Sequence, residues 1–200
     1  MVRRHKDGSL EVGPRSAHLA GCHYAAFTQP DFFDGAVIEE TAPLPGDPPY
    51  LIFRKGEEKV TLTSTCAANF LGYIDEQHYS RGNQASIALA MEQMGAYLKQ
   101  EPKQLAEAMM ESVAQKVIPT INQLISDYAV KDRALKLIGG GGGATAVVPK
   151  VAQTLGMPFE IAPRAEVISA IGAALAMVKE TIEKNIVNPS PADLAALRRE

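Results

Sequence analysis

Five consecutive glycines, Gly139 to Gly143, are the residues of this sequence whose type and spacing best suit ligand binding. An apolar stretch precedes them and a helix-like stretch follows. At the carboxyl end of a strand and the start of a helix, backbone N–H groups are unpaired and the helix dipole favours an anion or a polar ligand edge. Tight packing of strand on helix is the alternative explanation. The predicted ligand-binding residues are Gly139, Gly140, Gly141, Gly142, Gly143 and Ala144.

Two nucleotide-binding patterns can be compared with this run. A phosphate-binding loop of the G-x-x-x-x-G-K-[ST] type is excluded, because Lys150 is too far from the glycines and no Lys-Ser/Thr pair follows. The dinucleotide pattern G-x-G-x-x-G/A is satisfied by Gly139, Gly141 and Ala144, with Glu160 about twenty residues on. A run of glycines matches that pattern trivially, so a dinucleotide-binding oxidoreductase fragment remains only an alternative.

The histidines and cysteines are the other candidates for chemistry. His18, Cys22 and His23 could begin a metal site, with Cys66 or His78 as a distant fourth ligand. Isolated His and Cys residues are more often structural, and we predict reduced thiols and no bound metal. No catalytic residue can be named, since no Ser-His-Asp arrangement follows from the spacing.

Composition limits the class of protein. The chain has 200 residues, a net charge of −3, 46% apolar and 22% charged residues, and two cysteines. A well-formed core is therefore possible, whereas no basic surface for nucleic acid or an anionic membrane is expected. No apolar run is long enough to cross a membrane, and two cysteines do not form a disulfide framework. We expect a cytoplasmic protein.

The elements that must position the glycines divide the chain at about residue 80. Within 1–80, a turn at 6–9 joins two short strands, and residues 51–54 and 59–63 form a hairpin. Within 81–200, apolar spacing predicts a helix over 87–98 and a longer one over 102–128, kinked or split by Pro119 near Ile118.

The glycines themselves lie in a predicted βαβ unit. It consists of a strand over 133–138, the glycine turn, a helix over 144–155, and a strand over 157–161. A long amphipathic helix over 167–186 follows, and 191–200 could form a last short one. Together these elements predict one α/β domain over 1–200 with a mixed sheet and several long helices.

Nearly the whole chain resembles the C-terminal part of the A-type subunit of the hydantoinase/oxoprolinase family. The similarity lies in the glycine run, the Leu155-Gly156 helix end, Pro163, the S-A-x-G pattern from Ser169 to Gly172, and "VGPRSA" from Val12 to Ala17. The stretch "SDYAVKDRALKLIGG" also resembles the family's sequence before its glycines.

The resemblance implies an actin-like ATPase lobe with an RNase H-like core. It also implies a complete enzyme that uses ATP with Mg²⁺ to hydrolyse a small cyclic amide, with the glycine loop contacting adenosine. The sequence differs from the family where Cys66, within "TSTCAAN", replaces an Asp, and where "HLAGCHYAAF" replaces a G-A-x-P-G-P-A-C-Y-G segment.

The Asp-Gly-rich phosphate-binding turns of the family are not found in this sequence. We therefore expect a C-terminal fragment that is inactive alone and requires an N-terminal lobe, with a B-type subunit as a further partner. The alternative is a non-catalytic lobe that serves as a scaffold or subunit interface.

Overall fold

The computed structural model describes residues 1–130, 134–176 and 190–193. Within it the chain divides into two compact units, Met1–Ile168 and Ser169–Glu200. A single domain over the whole chain stays a prediction.

A six-stranded mixed sheet forms one part of the first unit. Its path runs β2-β1-β5-β6-β3, and β4 also pairs with β5. Only the β3–β6 pairing is parallel. The strands are β1 (Val2–Arg4), β2 (Leu10–Val12), β3 (His23–Tyr24), β4 (Val37–Thr41), β5 (Tyr50–Lys55) and β6 (Glu58–Thr61). The two predicted hairpins are confirmed, and β3 and β4 are additions to the prediction.

Strand β5 lies at the centre of the sheet. Its first four residues, Tyr50 to Phe53, are all buried, as expected for a strand covered on both faces. The Phe53 ring packs edge-to-face against Phe33 at 5.2 Å between centroids. One face of the sheet thus packs against the main hydrophobic core.

Three helices cover this core: α1 (Ser64–Phe70), α2 (Gln84–Leu98) and α3 (Pro102–Asp127). Helix α2 begins where the Asn83 side chain accepts a hydrogen bond from the Ser86 N–H at 3.1 Å. Helix α3 begins with Pro102 in its first turn, as predicted. The prediction of a split at Pro119 is wrong: α3 continues to Asp127, with Pro119 inside it.

The predicted βαβ unit is confirmed, but it does not extend the large sheet. Strand β7 (Leu137–Gly139) and strand β8 (Phe159–Ile161) pair in parallel as a separate two-stranded sheet, with helix α4 (Ala144–Leu155) between them. Gly156 ends α4 in the left-handed conformation at φ 63°, as expected for a glycine C-cap. Helix α4 packs against α1 and α3, and this contact attaches the βαβ unit to the main core.

Helix α5 (Ile168–Leu175) begins at the boundary of the two units, and none of its residues is buried. The helix predicted over 167–186 is therefore described only up to its middle, because residues 177–186 lie outside the described part of the chain. Residues 191–193 are helical, and the rest of the predicted last helix, 194–200, also lies outside the described residues. No helix in the described residues is long and apolar enough to cross a membrane.

Candidate functional site

The glycine run connects β7 to α4, and α4 has the predicted bounds. The strand, however, lies later than predicted and includes Gly139 as its last residue. Gly139 pairs with Ile161 of β8, and its carbonyl accepts a hydrogen bond from the Ala162 N–H at 2.9 Å. The turn itself therefore consists of Gly140 to Gly143.

Gly139 serves to pack the βαβ unit. It is buried, and a Cβ added to it would lie 2.8 Å from Ile161 Cδ1 and 2.9 Å from Val148 Cγ2. Because real Cβ atoms do not approach other atoms this closely, a side chain at position 139 would force Ile161, Val148 or the strand itself to shift.

The middle of the turn is held by backbone hydrogen bonds. Gly141 has φ +98°, a conformation that L side chains rarely adopt. Its N–H donates to the Ala165 carbonyl at 2.7 Å, and its own carbonyl accepts from the Ala144 N–H at 3.1 Å. A Cβ on Gly140 would lie 3.3 Å from Ile168 Cγ2.

One side of the turn is open. A Cβ built on Gly141 or Gly143 meets no atom within 4 Å. Among the residues that the structure describes, the N–H groups of Gly140, Gly142 and Gly143 have no hydrogen-bond acceptor. Unpaired donors beside open space, at the N-terminus of a helix, can bind an anion or the acceptor edge of a ligand.

Residues 78–80, in the connection between α1 and α2, lie directly beside the glycines. The Tyr79 hydroxyl donates a hydrogen bond to the Gly142 carbonyl. The next residue, Ser80, is buried, and its hydroxyl lies 3.3 Å from Thr145 Oγ1 at the start of α4 and 2.7 Å from His78 Nδ1. No motif marked these residues, because Tyr79 and Gly142 are separated by 63 positions in the sequence.

The buried side chain of Asn69 fixes this segment to helix α1. Its amide nitrogen donates to the carbonyls of Thr65 at 2.9 Å and Ser80 at 3.0 Å. Its Oδ1 accepts from the Gly82 N–H at 3.0 Å and from the Gln84 side chain at 3.3 Å. All four hydrogen-bonding positions of the amide are therefore used, which makes Asn69 the anchor of residues 80–84.

Comparison with models of protein families shows to which family the chain belongs. The hydantoinase/oxoprolinase family model matches residues 1–182, which include the glycine loop, Tyr79 and Asn69. The chain belongs to the hydantoinase/oxoprolinase family. This is a family of hydrolases of cyclic amides, and the mixed α/β fold described above is compatible with an actin-like ATPase lobe. Searches of curated proteins and of solved structures gave no match.

The position where the family resemblance places an Asp is occupied here by Cys66, which is completely buried in α1. Its thiol lies 3.4 Å from Thr63 Oγ1, and burial raises its pKa. Burial also raises the pKa of the Cys22 thiol, which lies 3.7 Å from the Ala20 carbonyl. Both are free thiols that stay protonated at neutral pH.

The remaining sequence candidates contact residues outside the glycine loop. Glu160 forms an ion pair with Lys136 on the surface of the small sheet. The His18 ring stacks on Tyr24 at 5.3 Å between centroids. Within residues 1–130, 134–176 and 190–193, no three His, Cys, Asp or Glu side chains are grouped so that they could hold a metal ion.

The burial of both thiols leads to a prediction about their reactivity. At pH 8 the folded protein should react with a disulfide reagent at least about tenfold more slowly than the urea-unfolded protein, because the reactive thiolate is scarce and shielded. The two rates are measured, with and without urea, from the absorbance of the coloured thiolate that the disulfide reagent releases. Rapid reaction of one equivalent in the folded protein would contradict the buried, protonated state.

Proposed function

We propose that this chain is the C-terminal lobe of an ATP-dependent hydrolase of small cyclic amides, in which Gly140 to Ala144 contact the adenosine of ATP. Membership of the family supports the hydrolase activity. The observation that carries the nucleotide contact is twofold: the N–H groups of Gly140, Gly142 and Gly143 have no acceptor among the described residues, and the space in front of the Cβ positions of Gly141 and Gly143 is open. Such donors suit the acceptor atoms of a nucleoside.

The residues of the loop would have different roles toward the nucleotide. Gly141 and Gly143 leave room for a ligand to approach the backbone, since a Cβ on either would extend into open space. Gly139 would act indirectly by setting the strand against α4. ATP, when bound, would supply a phosphoryl group to the amide oxygen of the substrate, which would make the amide carbon susceptible to attack by water.

The rest of the ATP site would belong to a partner lobe. No phosphate-binding turn occurs in this sequence, and the described residues contain no group of carboxylates placed to hold Mg²⁺. We therefore propose that an N-terminal lobe holds the phosphates and the magnesium ion, and that a B-type subunit is a further partner. Two buried free thiols fit a reducing compartment, and we propose the cytoplasm.

The test is the variant Gly143→Leu. Gly143 has φ −97°, which leucine can adopt, and its Cβ would meet no neighbouring atom, so the fold should be retained with a loss of no more than about 1 kcal/mol. In the assembled enzyme, the side chain should weaken ADP binding at least about tenfold by occupying the approach to the N–H groups. Isothermal titration measures the affinity.

The matched control is Gln153→Leu, which places the same side chain on an exposed position of α4 away from the loop. This variant should bind ADP like the wild type. Gly141→Val is a poorer probe, because φ +98° would strain a β-branched residue and disturb the loop itself. Equal ADP affinity of Gly143→Leu and Gln153→Leu would refute the nucleotide contact at this loop.

A scaffold lobe is the second candidate, and the packing of Gly139 favours it. Thermal stability of the assembled enzyme with ATP, ADP or NAD separates the candidates. Stabilisation by ATP and ADP but not NAD supports our proposal, stabilisation by NAD supports a dinucleotide site, and stabilisation by none supports a scaffold.

The chain alone should hydrolyse no ATP. Turnover by the chain alone that Gly143→Leu abolishes would contradict the dependence of the chain on a partner lobe.

A further inference from the structure

We infer that Tyr79 is a positioning residue that fixes the orientation of the Gly142–Gly143 peptide unit and so presents the Gly143 N–H to the nucleotide. The inference rests on the proposed function and adds to it a residue outside the glycine run. Its basis is the hydrogen bond from the Tyr79 hydroxyl to the Gly142 carbonyl.

The geometry of the peptide unit explains how one hydroxyl can control a donor that it does not touch. The Gly142–Gly143 peptide is trans, so its carbonyl and its N–H point in opposite directions. When Tyr79 holds the carbonyl on one side, the Gly143 N–H points to the other. That N–H is one of the three donors that have no acceptor among the described residues.

Without such a contact this peptide unit could turn over. A flip rotates ψ of Gly142 and φ of Gly143 by about 180°, which would take φ of Gly143 from −97° to about +83°. Two adjacent glycines allow this at little steric cost, whereas any other residue at 143 would resist it. Within the described part of the chain, the Tyr79 hydroxyl is the only donor to the Gly142 carbonyl.

The flip would matter for a ligand, because it would place a carbonyl oxygen where the N–H group had been. An acceptor atom of the ligand would then face another acceptor. Apparent affinity falls in proportion to the fraction of molecules in the competent orientation. Holding the peptide unit in place therefore raises affinity without an additional contact to the ligand.

Tyr79 is itself well held and remains a donor. The neighbouring Ser80 is anchored by Asn69, and the His78 ring lies 4.5 Å from the Tyr79 ring between centroids. Partial desolvation of its hydroxyl and the nearby Glu166 carboxylate raise the pKa of Tyr79, so the hydroxyl keeps its proton at neutral pH. A Cβ on Gly142 would lie 3.2 Å from this hydroxyl, so glycine also leaves room for it.

The experiment compares Tyr79→Phe with Tyr97→Phe. Both remove a hydroxyl from an exposed tyrosine, but the Tyr97 hydroxyl, on α2, has no hydrogen-bond partner among the described residues. In the ¹⁵N-labelled chain, Tyr79→Phe should cause exchange broadening of the Gly142 and Gly143 amides on the microsecond-to-millisecond timescale, with an unchanged melting temperature. Tyr97→Phe should leave these amides unchanged.

A second measurement links the peptide unit to binding. In the assembled enzyme, Tyr79→Phe should weaken ADP binding by about two- to tenfold, and Tyr97→Phe should not. Sharp Gly142 and Gly143 amides together with wild-type ADP affinity in Tyr79→Phe would overturn the inference. If the wild-type enzyme binds neither ATP, ADP nor adenosine, the proposed function fails, and the amide spectra still decide whether Tyr79 fixes the peptide unit.

Discussion

Replacing Asn69 by leucine should lower the stability of the protein by about 3 kcal/mol or more. The substitution keeps the number and branching of the side-chain heavy atoms but removes the hydrogen bonds to the Thr65 and Ser80 carbonyls and from the Gly82 N–H. Asn69 is only 2% exposed, so water cannot replace the lost partners, and each unsatisfied buried group costs about 1–3 kcal/mol. Urea unfolding followed by circular dichroism measures the loss.

The control is Asn122→Leu, the same substitution at an exposed position of α3. It should change the free energy of unfolding by no more than about 0.5 kcal/mol. If the two variants were equally stable, the amide network of Asn69 would not hold residues 80–84. Tyr79 would then lose the anchoring that we assign to its neighbour.

The sequence predicted the local parts of the fold well. The Lys6–Ser9 turn, the start of α3 at Pro102 and the bounds of α4 all follow from residues whose backbone preferences act locally. Gly156 could be recognised as the end of α4 because glycine is the usual residue of a left-handed C-cap. The family assignment also followed from sequence, since the motifs around the glycine run are contiguous.

The pairing of strands was less predictable. The βαβ unit was expected to join a mixed sheet, yet β7 and β8 form a sheet of their own. Strand β3 has two residues, which is too few for a periodic pattern. Its partner, β6, lies about 35 residues later in the sequence. Such pairings depend on tertiary packing rather than on local preference.

Pro119 illustrates a local rule that the structure overrides. A proline inside a helix removes one N–H donor, and Pro119 was expected to kink or split the segment. Helix α3 nevertheless continues through it, and Pro119 lies on an exposed side where the preceding carbonyls can reach water. The buried residues of α3, from Leu105 to Ala114, all lie before the proline.

The candidate site was predicted in part, because one half of it is contiguous and the other is not. Gly139 to Gly143 could be found as a run, whereas Tyr79 and Ser80 belong to a segment that has no recognisable motif. Their importance comes from contacts over more than sixty residues of sequence. The glycines of the run also differ in role. Because the residue types are identical, the sequence does not indicate which glycine packs against its neighbours and which one faces open space.

That difference gives the second large expected effect. Gly139→Leu should destabilise the protein by about 2–3 kcal/mol, because its Cβ would lie 2.8 Å from Ile161 Cδ1 and 2.9 Å from Val148 Cγ2, inside the packed βαβ unit. For a chain of this size the melting temperature should fall by about 4–12 °C. Differential scanning calorimetry measures this shift.

Gly143→Leu is the matched variant in the same loop, and the pair separates packing from ligand contact. Gly139→Leu should lose stability, whereas Gly143→Leu should lose ADP affinity and keep a melting temperature close to that of the wild type. The reason is that β7 meets α4 at Gly139, while Gly143 faces open space. If both variants lost stability equally, the whole run would serve packing, and the case for a nucleotide at this loop would lose its structural basis.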